Sequence, residues 1–253
     1  MPFIEIHTGA KLFYEHTNQA PGKIPILAIH GMLGTGRKDL GHVIDWLASQ
    51  SYEVIAPTLR GYGLSEPKPR DFPPRFYDRD AADVMAFMDA LGIRQAHLIG
   101  YSDGGETALI CAGTHPQRFV SVACWGAVGY FGPSMRAIAQ RMIPGSAWLK
   151  PDEMARHGII NADAFAQQWV RSTIQMIDSG GDVSRHLAPN ITAPLLMMLG
   201  KRDHLNPKEF ASNFLAHAKH GQLKMFDAGH ALHDEQTEEF RRILLAHLQA
   251  AET

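Results

Sequence analysis

Short, almost uninterrupted apolar runs alternate along the chain with stretches whose apolar residues recur at helical spacing. The runs at Ile26–Ile29, Val54–Pro57, 97–101, 120–125, 195–199 and 223–226 carry few polar side chains, as expected of strands covered on both faces. Between them, Leu40, Val43, Ile44 and Leu47 fall on one helical stripe, as do Val84, Phe87, Met88 and Leu91 before Gly92. Near the C-terminal end, Phe240, Ile243, Leu244 and Leu248 do the same. This alternation predicts an α/β fold, a mostly parallel central sheet wrapped by helices on both faces. The first segments, 4–7 and 12–16, are separated by Thr8-Gly9-Ala10-Lys11 and predict an antiparallel hairpin at the sheet edge.

From 126 to 186 the alternation stops. The text there is helical and irregular, rich in Met, Trp, Arg and Gln. Phe165, Trp169, Ile174 and Ile177 predict one long helix, and 135–142 predicts another. The expected organisation is a core of residues 1–125 and 187–253 interrupted by a helical cap, 126–186. The cap would lie over the carboxyl ends of the strands, where ligands bind in open α/β sheets.

At 253 residues the chain is long enough for one large domain with such an insertion. A net charge of −2 and the lack of a Lys/Arg block give no electrostatic basis for nucleic acid or an anionic membrane as partner. No apolar run approaches membrane-spanning length, and Met1-Pro2-Phe3-Ile4-Glu5 lacks the start of a secretory signal. Cys111 and Cys124 lie in apolar segments and read as buried free thiols, so a cytoplasmic protein is expected. The sequence leaves the oligomeric state open.

The chemistry centres on Gly100-Tyr101-Ser102-Asp103-Gly104-Gly105, where an apolar run passes into a helical pattern. A serine among glycines at a strand-to-helix turn has the layout of a nucleophile elbow. Such a serine needs a base and an orienting acid. Asp203 follows the 195–199 run and His230 follows the 223–226 run. Two neighbouring parallel strands would bring both loops to the elbow, with His230 as base and Asp203 as its partner. The expected oxyanion donors are the Asp103 N–H and the Met32 N–H of His30-Gly31-Met32-Leu33-Gly34. By analogy with measured removals of such donors, each is worth about 3–4 kcal/mol. His30 reads as a hydrogen-bonding support for that loop. Trp125, Tyr130, Phe131, Trp148 and Trp169 could line a pocket or pack the core; Tyr130 and Phe131 are taken as substrate-binding. His30, His204, His230 and His233 lack metal-ligand spacing, and no phosphate-cradling glycine motif occurs. Neither metal nor other cofactor is expected.

His30-Gly31-x-x-Gly34, Arg60-Gly61-Tyr62-Gly63-x-Ser65, the elbow, Asp203 and His230 together resemble the α/β-hydrolase superfamily across nearly the whole chain. Within it, Ser102-Asp103-Gly104-Gly105-x-Thr107-Ala108-Leu109-Ile110, Trp125-Gly126-Ala127 and Arg185-His186-Leu187-x-Pro189 resemble the biphenyl hydrolase-like (valacyclovir hydrolase) family. The cap interior resembles it more loosely. Thr58 stands where the Arg-Gly-x-Gly-x-Ser motif usually has Asp, a departure at a structural turn.

The resemblance implies a serine hydrolase cleaving carboxylic esters through an acyl-enzyme. It also implies that Asp103 binds the α-amino group of an amino-acid ester. A plainer reading of Asp103 is a helix-start acid, or one paired with a nearby arginine. The alternatives for the whole chain are a carbon–carbon bond hydrolase, an amidase or a cofactor-free haloperoxidase on the same triad, or a ligand receptor on the hydrolase fold.

Overall fold

The computed structural model describes residues 2–18 and 23–252. Its strands are β1 Phe3–Glu5, β2 Lys11–Thr17, β3 Ile26–Ile29, β4 Val54–Pro57, β5 Ala96–Tyr101, β6 Phe119–Trp125, β7 Leu195–Gly200 and β8 Gly221–Phe226. They form one eight-stranded sheet in the order β1-β2-β4-β3-β5-β6-β7-β8. The β1–β2 and β2–β4 pairs are antiparallel and the rest parallel. The edge hairpin is present, but β1 stops at Glu5 because Ile6 to Ala10 close a turn, Ile6 N–H donating to Ala10 O at 2.9 Å. Register pairs Ile29 with Gly100, Tyr101 with Trp125 and Gly200 with Phe226. The carboxyl ends of five strands are therefore level along one edge.

The helices are α1 Gly41–Ser49, α2 Phe76–Ala90, α3 Asp103–Thr114, α4 Pro133–Gln140, α5 Pro151–His157, α6 Ala162–Asp178, α7 Lys208–Leu215, α8 Leu232–Glu235 and α9 Thr237–Ala250. Adjacent strand residues face opposite sides of the sheet. Leu98, Val122 and Met197 join the layer holding α2 and α3. Ile99, Ala123 and Met198 join the layer where α1 and α9 bury Val43, Ile44, Leu47, Phe240, Leu244 and Leu248. The continuous apolar runs are thus consumed on both faces. The segment after β4 is pinned to α2 by two buried ion pairs, Arg60–Asp83 at 2.7 Å and Arg70–Asp80 at 2.6 Å. Removing one partner of such a pair costs about 3–5 kcal/mol.

Between β6 and β7 the chain forms α4, α5 and α6, and an isolated bridge pairs Tyr130, before α4, with Asp182, after α6. Helix α6 buries Phe165, Trp169, Val170 and Met176, and α4 buries Met135 and Ala139. Three short helices were not expected from the sequence: α5 with seven residues, α7 with eight, and α8 with four. Among the described residues no helix is long and apolar enough to cross a membrane.

Candidate active site

Strand β5 ends at Tyr101 and α3 begins at Asp103, leaving Ser102 at the turn with φ 55° and ψ −120°. Few non-glycine residues tolerate this region, and the surroundings must hold it there. The Ser102 N–H donates to Trp125 O at 2.9 Å, and the Ser102 carbonyl accepts from Gly105 and Glu106 N–H at 2.8 and 3.1 Å. A Cβ on Gly104 would lie 2.3 Å from the Ile29 carbonyl oxygen. The helix start therefore sits directly on β3, and no larger residue fits.

Asp203 and His230 emerge from the ends of β7 and β8. These loops nearly touch, since a Cβ on Gly200 would be 2.1 Å from Gly229 O. His230 Nδ1 lies 2.8 Å from Asp203 Oδ2, and His230 Nε2 lies 2.9 Å from Ser102 Oγ. An ionised carboxylate only accepts, so Nδ1 carries the proton and Nε2 is free to take one from the serine. Burial alone would push the Asp203 carboxyl up. The His230 bond, with those from Asn206 Nδ2 and Leu205 N–H (both 2.9 Å), outweighs burial and holds it below the usual range. The imidazole packs on Gly126, where a Cβ would come within 2.8 Å of His230 Cε1.

The loop after β3 runs beside the serine, a Cβ on Gly31 falling 3.1 Å from Ser102 Cβ. His30 Nε2 accepts from Leu59 N–H at 2.9 Å, so its Nδ1–H donates to Gly31 O at 2.7 Å. Burial keeps this ring neutral by lowering its pKa to about 3. Gly31 C=O and Met32 N–H belong to one trans peptide and point in opposite directions. His30 thus turns the Met32 N–H away from itself. Among the described residues neither the Met32 nor the Asp103 amide donates to another group.

Met32, Ser102, Asp103 and His230 line a cavity of about 100 Å³. Its far wall comes from the cap: Phe131, Met135, Ile138, Met142 and Trp169. Asp103 is buried, and its Oδ1 accepts from Tyr77 OH at 2.7 Å. Its Oδ2 is also buried and has no hydrogen-bond partner among the described residues. Burial pushes this carboxyl up to about 6, although Tyr77 and the Arg70 charge pull the other way. Glu106, one turn along α3, has a different environment. Both its oxygens accept from backbone N–H groups of Val128 and Gly129, and burial raises it to about 7.

Of the adjacent aromatics, Phe131 lines the cavity and Tyr130 does not. Tyr130 bridges to Asp182, stacks edge-on against Phe210 and lies under the Arg185 guanidinium, so its ring faces away from the site. Trp125 is core, donating from Nε1 to His233 Nδ1 at 3.1 Å, and the Trp148 indole donates to Met142 O at 2.8 Å. Among the described residues no three His, Cys, Asp or Glu side chains converge as a metal would require. Cys111 and Cys124 are buried and free.

Residues 24–156 match the family model of the alpha/beta hydrolase fold. The chain belongs to this family. Serine hydrolase BPHL from Mus musculus is 34% identical over 246 residues, covering 95% of this chain and 84% of the relative; the Homo sapiens protein is 33% identical over the same length. A 2-hydroxymuconate semialdehyde hydrolase from Pseudomonas putida is 26% identical, covering 87% of this chain and 85% of that one. Among solved structures, the enol-lactonase from Burkholderia xenovorans LB400 superposes with a TM-score of 0.73 at 24% identity, covering 98% of this chain and all of the other. The protein is a hydrolase of the α/β fold. Sequence reasoning did not single out three polar residues that line this cavity: Tyr77, Glu106 and Asn206. The spacing of Asn206, three residues beyond Asp203, is the one local signal among them.

Proposed function

We propose that this hydrolase is a serine carboxylesterase for esters of α-amino acids. One observation carries the substrate class. Asp103 lines the cavity beside Ser102, and its buried carboxylate oxygen Oδ2 has no partner among the described residues. An unpaired buried charge is costly, and a substrate ammonium would supply both counter-charge and donor.

With the ammonium on Asp103, the ester carbonyl lies over Ser102. The Ser102 Oγ attacks the carbonyl carbon while His230 Nε2 takes its proton. The resulting oxyanion accepts from the Met32 and Asp103 N–H groups, and Asp203 stabilises the imidazolium. Collapse breaks the carbon–oxygen bond, and the departing alcohol takes the proton from His230. Water, deprotonated by His230, then cleaves the acyl-enzyme to free acid and Ser102. A carboxylate at position 103 opposes the oxyanion when the substrate is neutral; the ammonium offsets this.

The Pseudomonas putida relative suggests carbon–carbon hydrolysis as a second reading. A muconate is an anion, however, and the cavity already holds Asp103 and Glu106. The cytoplasm, where the buried thiols would stay reduced, is the compartment that fits this enzyme.

The test compares matched p-nitrophenyl esters with and without an α-amino group, using wild type, Ser102→Ala and Asp103→Ala. The expected result is fast hydrolysis favouring the aminoacyl ester, with kcat falling by ~10⁵-fold or more in Ser102→Ala. Equal rates for both esters, or an undiminished preference in Asp103→Ala, would remove the amino-acid assignment. No turnover of either ester would remove the esterase reading.

A further inference from the structure

We propose that Asp39 is a positioning residue for the oxyanion hole, setting the Gly31–Met32 peptide against the loop that carries His230. The inference rests on the serine-hydrolase reading above but not on any particular substrate.

Asp39 lies outside the Ser102–His230–Asp203 chain and does not line the cavity. Its carboxylate nevertheless reaches both ends of the loop after β3. Oδ2 accepts from Gly31 N–H at 3.1 Å. At the other end, a Cβ on Gly34 would lie 2.0 Å from the same oxygen, so the carboxylate fills the space that a side chain there would need. The loop is closed by Gly34 N–H donating to Gly31 O at 3.1 Å, alongside the His30 bond. Both polar backbone groups of Gly31 are therefore committed, the N–H to Asp39 and the C=O to His30 and Gly34. With the peptide planes on either side of Gly31 fixed, the direction of the Met32 N–H is fixed as well.

The backbone of Asp39 makes a second connection. The His233 ring accepts from Trp125 at Nδ1 and lies near the Asp39 backbone, which favours its protonated form. His233 is on α8, immediately after the His230 loop, and its ring packs 4.6 Å from that of Tyr101, which in turn lies 5.3 Å from His230. One residue thus holds the oxyanion loop through its side chain while its backbone lies near the segment that follows the base.

An ordinary structural role does not account for the carboxylate. It makes no cap bond to α1, and no cation forms an ion pair with it among the described residues. Burial pushes its pKa up to about 6, so its charge is held at a cost.

The experiment uses Asp39→Asn, which keeps an acceptor oxygen, and Asp39→Leu, which keeps the branched shape, is bulkier and has none. The readout is the rate at which a fluorophosphonate labels Ser102, because that reaction needs the nucleophile and the oxyanion donors but no acyl specificity. Steady-state kinetics on the preferred ester follow. Asp39→Leu is expected to slow labelling and kcat by ~10–10²-fold with KM within about twofold, and Asp39→Asn to stay within about threefold of wild type. Equal labelling by Leu and wild type, or equal losses in Leu and Asn, would overturn the proposal. If the Leu variant does not fold, Asp39→Ala replaces it in the same comparison. Wild type that labels at Ser102 but hydrolyses no ester would overturn the esterase reading alone.

Discussion

On the sheet side of the cavity, an added methyl at Gly100, Gly104 or Gly126 would come within 2.3, 2.3 and 2.8 Å of a neighbouring atom. On the cap side, the wall is Met135, Ile138, Met142 and Trp169, long side chains meeting across a gap. The first surface is backbone against backbone, tied by hydrogen bonds of 2.7–3.1 Å through His30, Ser102 and His230. The second is side chain against side chain, with thioethers that rotate cheaply. Reacting atoms must be placed to a few tenths of an ångström, whereas an acyl chain need only be enclosed. The difference shows where this hydrolase concentrates its rigidity.

The comparison breaks most visibly on the rigid side. Gly126→Ala puts a methyl against the His230 ring at a backbone φ of +65°. We expect kcat to fall ~10²-fold or more with KM little changed, read by steady-state kinetics beside a thermal melt that verifies folding.

Asp103 lies where the two sides meet, and Asp103→Asn sharpens the contrast between placement and cost. Preference for the aminoacyl over the plain ester should drop by ~10–10²-fold, measured as the ratio of kcat/KM values. The same variant should melt higher. The folded carboxyl titrates near 6 instead of 3.8, so the folded state holds its proton more tightly than the unfolded chain. Wild type therefore loses stability as pH rises from about 4 through 6, by about 3 kcal/mol when the shift is complete. Melts of the two proteins should coincide near pH 4 and separate by several degrees at pH 8, with the Asp103→Asn variant the more stable.

The smallest effect is expected on the cap. Met142→Leu keeps volume and apolarity, and should change kcat/KM by less than about threefold and stability by less than about 1.5 kcal/mol. A loss comparable with that of Gly126→Ala would show the cap wall to be as exacting as the sheet side.

The rigid side was also the legible side. Ser102, Asp203 and His230 sit at the ends of apolar runs, so strand order alone was enough to predict their meeting, and family resemblance sharpened the reading. The contacts that tune them depend on packing between distant segments. Tyr77 reaches Asp103 from 26 residues upstream, and nothing around Tyr77 marks it as polar support. Tyr130, which does not line the cavity, is bridged to Asp182, a residue distant from it in sequence. Helices α5, α7 and α8 escaped the reading because four to eight residues make about two turns at most, too few repeats for a period to stand out. Asp39, between a basic pair and a helix, looks like any surface acid until the fold brings Gly31 to it.

His157, the last residue of α5, is fully buried. Its Nδ1 accepts from Gly63 N–H and its Nε2–H donates to Leu33 O, both at 2.9 Å. Burial lowers its pKa to about 4, so the ring stays neutral and serves as donor and acceptor at once. A single imidazole from the cap thereby completes two loops of the sheet scaffold. For anyone recombining such enzymes the cap is not a detachable module: a transplanted cap without this histidine leaves one amide and one carbonyl of its new host buried and unanswered, at about 1–3 kcal/mol apiece.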